Sequence, residues 1–403
     1  MTQPSPPASA RQARQGLPRP VWLLGWVSFF TDTATEMVYP LLPLFLTRVL
    51  GAGAMSLGIV EGIAEAANSA LKIVSGRLAD ATGKPKRLVL AGYGISSAVR
   101  PFIALAGSWT HVLGIRFADR LGKGIRGAPR DAMLADFSPD GQRGRVYGFH
   151  RAMDHAGAVL GPLLAAVFLY FYPGEYRTLF ALTIVPGLIV VGFILAVPDT
   201  TRPPAATRPA HMRSAPMPPV FWRALVVILL FALGNASDAF LLLRLSQAGI
   251  ADFWIPLLWS ALHVVKVGAS LAGGELSDRF GRRTLIGIGW MFYAGVYAAF
   301  ATMESSAMLI AVFLAYCLYF GLTEGVEKAW IADLAPADGR GSAFGYYNAT
   351  LGVGALLSSL IFGVIWTRVS PDSAFLAGAA LATLATLLLY FLYPNGANPG
   401  HKR

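Results

Sequence analysis

Residues 76–88 read GRLADATGKPKRL, and residues 274–285 read GELSDRFGRRTL. Each stretch is a turn rich in glycine and basic residues that follows a long apolar run. The identical positions include Gly76 and Gly274, Asp80 and Asp278, and Gly83 and Gly281. Glycine permits tight turns and basic residues favour one side of a membrane, so the same kind of turn occurs twice in one chain.

A second pair of segments shows the same separation. Residues 135–152 read ADFSPDGQRGRVYGFHRA and residues 332–349 read ADLAPADGRGSAFGYYNA. The aligned identities include Asp136 and Asp333, Pro139 and Pro336, Arg143 and Arg340, and Gly148 and Gly345. Because two independent blocks recur 197 or 198 residues apart, the sequence predicts a duplicated unit whose two copies cross the membrane in the same direction.

The composition places the chain in a membrane. Of its 403 residues, 55% are hydrophobic and 14% are charged, whereas soluble domains carry about 25% charged residues. Twelve apolar runs are long enough to span a bilayer, which needs about 20 residues each. The predicted organisation is a disordered tail at 1–20, a six-helix bundle at 21–197, a Pro-rich linker at 198–219, a second six-helix bundle at 220–395 and a short tail at 396–403.

The positions of the charges predict orientation rather than a nucleic-acid partner, despite a net charge of +11. Most Arg and Lys residues outside the spans fall on the side that holds both termini and the linker, while the other side holds only Arg48, Arg177 and Arg368. The positive-inside rule therefore predicts that both termini are cytoplasmic, in an inner or plasma membrane. The single cysteine, Cys317, excludes an internal disulfide and a cysteine-based metal cluster.

The duplicated turn resembles the signature Gly-x-Leu-x-Asp-Arg-x-Gly-Arg-Lys of the major facilitator superfamily, which lies between helices 2 and 3. The first copy departs from it at Ala81, Lys84 and Pro85. The resemblance implies an all-α integral membrane protein with 12 transmembrane helices in two six-helix bundles, around a cavity exposed to each side in turn. It also implies a conformational latch at the cytoplasmic helix ends, formed by Gly76, Asp80, Gly83, Arg87, Asp136 and Asp278.

The fifth span contains a further motif. GAVLGPLLAA, residues 157–166, resembles the Gly-x-x-x-Gly-Pro-x-x-Gly-Gly sequence of superfamily antiporters and exporters at Gly157, Gly161 and Pro162. Small residues four apart allow two helices to approach closely, and proline permits bending. The corresponding GVGALLSSL of the second half lacks the proline, and this asymmetry favours export over uptake.

Ionisable residues interrupt the apolar spans of the first half, where each costs at least about 2.5–3.5 kcal/mol unless it is paired or hydrated. Asp32 and Glu36 are four residues apart in the first span, and so are Glu61 and Glu65 in the second; each pair shares a helix face. Asp154 follows in the fifth span. At about 100° per residue, one face of the fourth span collects five cations, namely Arg116, Arg120, Lys123, Arg126 and Arg130.

Two interpretations of these residues stay open. One is a proton-coupling site and substrate cavity formed by Asp32, Glu36, Glu61, Glu65, Arg116, Arg120, Lys123 and Asp154. The other is an ion-pair network that locks the first bundle without touching any cargo. The second half is poorer in charge, and its candidates to line the cavity are Asn235, Asp238, His263 and Lys266.

Together these features predict a secondary active transporter without a cofactor, and not an enzyme. The leading hypothesis is proton-coupled efflux of a small organic anion, zwitterion or drug, because a basic stripe suits an anion and a buried carboxylate can exchange a proton. Uptake by symport, efflux of a divalent metal, and a non-transporting membrane sensor or enzyme are the alternatives; no His-x-x-x-His spacing supports a metal site. The expected partners are the substrate, protons and lipid, with no nucleic acid, and the expected state is a monomer.

Overall fold

The computed structural model describes residues 16–82, 84–139, 143–199, 216–336 and 340–393, and within these ranges the regular elements are helical. In chain order the helices are α1 Arg19–Val38, α2 Ala54–Thr82, α3 Pro85–Val99, α4 Trp109–Asp136, α5 Arg143–Phe171, α6 Tyr176–Ala196, α7 Pro219–Gln247, α8 Trp254–Phe280, α9 Arg282–Thr302, α10 Ser306–Leu334, α11 Arg340–Arg368 and α12 Pro371–Leu392. This confirms the predicted all-α class with twelve helices. The predicted tails and linker fall largely on residues 1–15, 200–215 and 394–403, outside the described residues.

Eight helices in the described ranges are long and apolar enough to cross a membrane, judged by length and composition. They are α3, α5, α6, α7, α9, α10, α11 and α12. Helices α1, α2, α4 and α8 are not in this group, and the first three are the helices in which the sequence places most of its buried charges. We call the side that holds the start of α1 and the end of α12 the terminal face, and the other side the opposite face.

The first six helices form one bundle and the last six form another, with α1 and α7 meeting between them. The Tyr39 hydroxyl lies 3.3 Å from Ser237 Oγ, and Arg48 Nη2 donates to Ser246 Oγ at 2.7 Å. Both pairs are 198 residues apart, the separation of the duplicated turns. Residues therefore contact their own repeat equivalents, as expected at a pseudo-two-fold axis along the membrane normal.

Two seams join the bundles, α2 against α11 and α5 against α8. A Cβ atom on Gly58 would overlap the carbonyl oxygen of Ser359, so only glycine allows this approach of α2 to α11. In the other seam, Ser260 Oγ donates to the Val159 carbonyl oxygen at 3.0 Å. At the opposite face, Asp252 of the second half binds both Arg48 and the Tyr176 hydroxyl. These contacts close the opposite face.

Helix α7 is interrupted near its middle. Regular helix ends at Gly234 and resumes at Ala239, because residues 235–238 leave helical geometry. Freed carbonyl groups at the break are satisfied by side chains of neighbouring helices. Tyr293 donates to the Gly234 oxygen at 3.1 Å and Ser358 to the Asn235 oxygen at 3.0 Å. Such a break is tolerated at membrane depth where it is covered by protein or lines a cavity.

Candidate functional site

A cavity of about 560 Å³ lies between the bundles, beside the α7 break. Its wall is formed by α1, α2 and α4 of the first half and by α7, α8, α10 and α11 of the second. The ionisable Asp, Glu, Lys and Arg residues in its wall are Glu36, Glu61, Glu65, Arg120, Lys123, Asp238, Lys266 and Glu324. A cavity of this size and polarity suits a small polar molecule.

A second cavity of about 350 Å³ adjoins the first. The two share Glu65, Asn235 and Glu324, and the second continues past Lys328 to Tyr347. Both of these residues lie toward the ends of α10 and α11 at the terminal face. With the opposite face closed, this second cavity extends the first toward the terminal face.

Of the eight predicted cavity residues, the structure brings five to the wall: Glu36, Glu61, Glu65, Arg120 and Lys123. Arg116 does not line the cavity. Its Nη2 donates to Glu61 Oε1 at 2.7 Å, and the two side chains are only 2% and 8% exposed. A hydrogen-bonded pair at this depth fixes α2 against α4, because removal of either partner would leave a buried charge.

Arg120 differs from Arg116 in having no such partner. It lines the cavity and is 7% exposed, yet no carboxylate among the described residues lies within 4.0 Å of its guanidinium group. Asp119, Glu65 and Glu61 attract it from a greater distance. A guanidinium group offers five donors that match a carboxylate or phosphate, so Arg120 is able to bind an anionic group in the cavity.

The carboxylate of Glu36 connects the two halves. Trp259 Nε1 of α8 donates to Glu36 Oε2 at 2.8 Å. Across the cavity, Asp238 at the α7 break accepts a hydrogen bond from the Tyr316 hydroxyl at 2.8 Å. Each of these two carboxylates thus receives its hydrogen bond from a neutral donor, an indole or a phenol, which leaves its charge available to a cation.

The remaining charged residues that the second half contributes to the two cavities bind one another. Glu324 lies 3.4 Å from Lys266 Nζ and 3.3 Å from Lys328 Nζ. Lys266 Nζ also lies 3.8 Å from the centre of the Phe320 ring, a cation–π contact. Asn235, Asp238 and Lys266 line the cavity as expected; His263 is not in its wall.

Asp32 and Asp154 were also predicted to line the cavity. They lie instead on its terminal-face side, between α1 and α5. Ser28 donates to Asp154 Oδ1, and His150 Nδ1 is 3.6 Å from Asp154 Oδ2. Asp154 is the charged group that acts most strongly on Asp32. These two carboxylates form a separate cluster outside the wall of the cavity.

The glycines of the fifth-span motif hold α5 tightly against α1. A Cβ atom on Gly157 would overlap the Phe29 carbonyl oxygen, and one on Gly161 would overlap the Thr33 carbonyl oxygen. Pro162 lies inside α5, one residue further on. The motif therefore sets the distance between the helices that carry Asp32 and Asp154.

The predicted latch stays largely a prediction. Gly83 lies outside the described residues, and so do the surroundings of Gly76 and the side chains of Asp80 and Asp278. Arg87 and Asp136 are exposed at the terminal face. The repeat equivalent of Asp136 is Asp333, and Arg282 Nε lies 3.4 Å from its Oδ2. This pair joins the start of α9 to the end of α10, the kind of contact expected of a latch.

Two further features were not anticipated. One is a buried set between α3 and α4, in which Arg100 Nη2 binds Asp119 at 2.9 Å and Arg126 donates to Ser96 Oγ at 2.7 Å while its guanidinium group lies 4.3 Å from the Tyr93 ring centre. The other is the α7 break, whose sequence GNASDA contains turn-forming residues inside an apolar run. Within the described ranges, no three His, Cys, Asp or Glu side chains are grouped so as to hold a metal ion.

Two six-helix bundles related by a pseudo-two-fold axis, with a charged cavity between them, define a membrane transporter of the two-bundle type. The chain matches the Major Facilitator Superfamily profile over residues 24–327 and 257–403. It belongs to that superfamily.

Relatives and solved structures agree with this assignment. An uncharacterized MFS-type transporter of Methanocaldococcus jannaschii is 32% identical over 382 residues, which cover 93% of this chain and 95% of that protein. The multidrug resistance protein MdtH of Aeromonas hydrophila subsp. hydrophila is 25% identical over 346 residues, covering 83% and 84%. A POT family transporter solved with 5-aminolevulinic acid has a TM-score of 0.78 at 12% identity, covering 94% of this chain and 96% of that one, and shows the shared fold.

Proposed function

We propose that this transporter is a proton-coupled exporter of small organic zwitterions, drugs among them. It acts as a monomer in the inner or plasma membrane, with the terminal face toward the cytoplasm. The observation that carries the proposal is the combination of charges in one cavity. Arg120 is a buried cation without a carboxylate within 4.0 Å among the described residues, while Glu36 and Asp238 are carboxylates bound by neutral donors.

A zwitterion satisfies both parts of this cavity. Its acidic group binds the guanidinium group of Arg120 in a charge-assisted, bidentate manner. Its ammonium group lies near Glu36 and Asp238, where the rings of Trp259 and Tyr316 provide further cation–π attraction. An unpaired ion at this depth is expensive, so a cargo that neutralises both ends is favoured over one that neutralises neither.

Whether cargo and proton move in opposite directions or together depends on which group of the cargo binds the carboxylates. An ammonium group competes with a proton for Glu36 or Asp238, because both neutralise the same negative charge. Cargo binding therefore expels a proton, and proton binding expels cargo, which is antiport. A plain anion would act differently: by occupying Arg120 it would favour protonation of Glu61 and Glu65, and anion and proton would move together.

That second outcome, proton-coupled anion symport, is the competing candidate. The buried Arg120 supports it, since a single anionic group is enough to neutralise this residue. Export is favoured by the fit of Gly157 and Gly161 to the antiporter motif and by the relationship to a multidrug resistance protein. Orientation is supported by the excess of basic residues in the terminal-face loops.

The alternating cycle uses contacts at both faces. Arg48, Tyr176 and Asp252 join the halves at the opposite face, so in this state the cavity faces the terminal face, the side from which an exporter takes up its cargo. Opening to the opposite face requires these contacts to break and new contacts to form at the terminal face. The residues of the predicted latch, including Arg87 and Asp136, are proposed to make them.

Transport in inside-out membrane vesicles tests the proposal. Respiration acidifies the vesicle lumen, and a fluorescent amine reports the pH gradient while compounds are added. The panel consists of a zwitterionic fluoroquinolone, carboxyfluorescein as an anion, ethidium as a cation, and Zn²⁺. We expect the zwitterion to dissipate the gradient and to accumulate in the lumen.

The other outcomes are equally informative. Accumulation of carboxyfluorescein only when the gradient is reversed would replace the proposal with anion symport. Dissipation by Zn²⁺ alone would replace it with metal efflux. Vesicles carrying Arg120→Gln serve as the control with weakened cargo binding, and vesicles carrying Arg368→Gln, which removes an exposed cation at the opposite face, serve as the matched control with unchanged activity.

A further inference from the structure

The cluster formed by Ser28, Asp32, His150 and Asp154 lies outside the cargo cavity and has no role in the cargo contacts described above. It occupies the seam between α1 and α5, which the close approach at Gly157 and Gly161 holds together. Ser28, Asp32 and Glu36 follow at intervals of four residues along α1, so they share one face. That face leads from the cavity toward the terminal face.

His150 is the unusual member of the cluster. It is 3% exposed, its Nδ1 faces Asp154 at 3.6 Å, and its Nε2 is buried without a hydrogen-bond partner among the described residues. A buried polar nitrogen without a partner costs free energy and calls for an explanation, such as a functional role. The ring lies two helical turns inside the start of α5, about 10 Å from the terminal face at 1.5 Å per residue.

We propose that Asp32, Asp154 and His150 form a proton-binding relay that connects the cargo cavity to the terminal face. This inference rests on the proposed proton coupling and adds its route. A proton displaced from Glu36 moves to Asp32 and then to Asp154. It passes from a carboxyl oxygen of Asp154 to Nδ1 of the neutral His150 ring, and the imidazolium releases its Nε2 proton toward the terminal face, where water accepts it. Asp154 is left as a carboxylate. The ring is left neutral with its proton on Nδ1, and it returns to the Nε2–H form by rotation or proton exchange before the next passage.

The surroundings of the relay are charged on several sides. Lys123 and Arg126 of helix α4 act electrostatically on Asp32, and Arg130 and Asp131 of the same helix act on His150. On α5 itself, Arg151 lies 4.0 Å from Asp154. His155 is influenced by His263 and Lys266 in the described part of α8. The side of the seam that α6 covers presents apolar residues such as Phe193, which is stacked on Phe30.

A relay predicts that proton movement and cargo movement can be separated. In proteoliposomes with the zwitterionic fluoroquinolone as the probe, Asp154→Asn and His150→Gln should lose uptake driven by a pH gradient. Both should keep exchange of labelled for unlabelled probe, because exchange needs the cavity but no net proton transfer. Asp372→Asn and His111→Gln, which change the same residue types at exposed positions of the opposite face, should keep both activities.

Loss of exchange together with driven uptake in the folded Asp154→Asn protein would overturn the relay, because Asp154 would then belong to cargo binding. Driven uptake at the wild-type rate in Asp154→Asn and His150→Gln would overturn it as well. If wild-type protein transports no probe at all, the proposed function fails instead, and a cargo-free measurement still decides on the relay. The infrared C=O band of carboxylic acids that are still protonated near neutral pH should lose amplitude in Asp32→Asn and Asp154→Asn but not in Asp372→Asn, because an exposed carboxylate is already ionised at that pH. An unchanged band in both would refute the relay.

Discussion

Helices α4 and α10 occupy equivalent places in the two halves, yet they are built from opposite chemistry. At the offset that aligns Asp136 with Asp333, the α4 residues Arg116, Asp119, Arg120 and Lys123 correspond to Phe313, Tyr316, Cys317 and Phe320 of α10. In both helices these positions are largely buried: Arg116, Asp119 and Arg120 are at most 7% exposed, and Phe313, Tyr316 and Cys317 are 0% exposed. The duplication has preserved the shape of the bundle and not its electrostatics.

Because of this difference, the two halves contribute differently to the site. The first half holds buried cations that must be balanced by carboxylates or cargo. The second half packs a tyrosine cluster around the α7 break, where Tyr293 stacks on Tyr297 at 4.2 Å and Tyr316 on Tyr319 at 5.7 Å between ring centres. Aromatic packing is stable without cargo, while a buried guanidinium group is not. We therefore assign charge recognition mainly to the first half and rigid support to the second.

The largest loss of stability is expected when one partner of a buried ion pair of the first half is removed. Glu61→Gln leaves Arg116 as a buried cation without its carboxylate, which should cost about 3–5 kcal/mol of stability. Thermal unfolding of the detergent-purified protein measures this loss. Replacing both partners by apolar residues, Glu61→Leu with Arg116→Met, imitates the second half, where Trp259 and Phe313 stand at these positions.

The double variant should be markedly more stable than Glu61→Gln alone, because it removes the charge together with its partner. A double variant as unstable as the single one would show that the pair is needed for more than mutual neutralisation. Asp131→Asn provides the control, since the pair that it forms with Arg130 is half exposed on the Asp131 side.

The second prediction concerns Arg120, the cation that the second half replaces by Cys317. Arg120→Gln should remove the charge-assisted contact to cargo, about 1.5–3 kcal/mol, and raise KM by about tenfold or more. The protein should unfold at or above the wild-type temperature, because a buried charge without a close carboxylate is lost. Transport kinetics and unfolding of the same preparation distinguish this from a structural role, in which both properties would decline together.

The residues of this site were predictable to different degrees, for physical reasons. The common face of Arg116, Arg120 and Lys123 followed from helical periodicity alone, since it depends only on spacing within one helix. Which acid binds Arg116 did not follow. Glu61 and Glu65 share a face of α2, and only the rotation and distance between α2 and α4 decide that Glu61 forms the pair.

Contacts between the halves were the least predictable. Nothing in the pattern around Trp259 indicated that its indole would bind Glu36, because that contact depends on how two bundles dock. The repeat did predict the twofold arrangement, and the contacts of Tyr39 with Ser237 and of Arg48 with Ser246 agree with it. The break in α7 had a local signal in the Gly, Asn, Ser and Asp residues around 235, which a purely hydropathic analysis passes over.

The third prediction compares the close helix contacts of the two halves. Gly157→Ala drives a methyl group into the Phe29 carbonyl oxygen, while Gly354→Ala in α11 drives one into the Ala232 side chain of α7. Both should destabilise by about 1–3 kcal/mol, because neither the Phe29 oxygen nor the Cβ atom of Ala232 can move without its backbone. Gly148→Ala, which meets no atom within 4 Å, is the control and should be neutral or stabilising by up to about 1 kcal/mol, since alanine favours a helix. Stability at one site as high as that of the control would show that the close contact in that half does not depend on glycine.

The smallest effect is expected at the terminal face. Asp333→Asn removes the contact with Arg282, whose side chain is 25% exposed while that of Asp333 is 51% exposed. Exposed pairs contribute about 0.2–1 kcal/mol because water already solvates both charges, so unfolding in detergent should change little, and less still at high salt. If Asp333 and its repeat equivalent Asp136 hold a latch, each substitution should nevertheless alter the rate of transport. Comparison of the transport rates of Asp136→Asn and Asp333→Asn tests whether the two halves, which differ in their buried charges, still share a latch at the terminal face. A rate change in only one of these variants would confine the latch to that half.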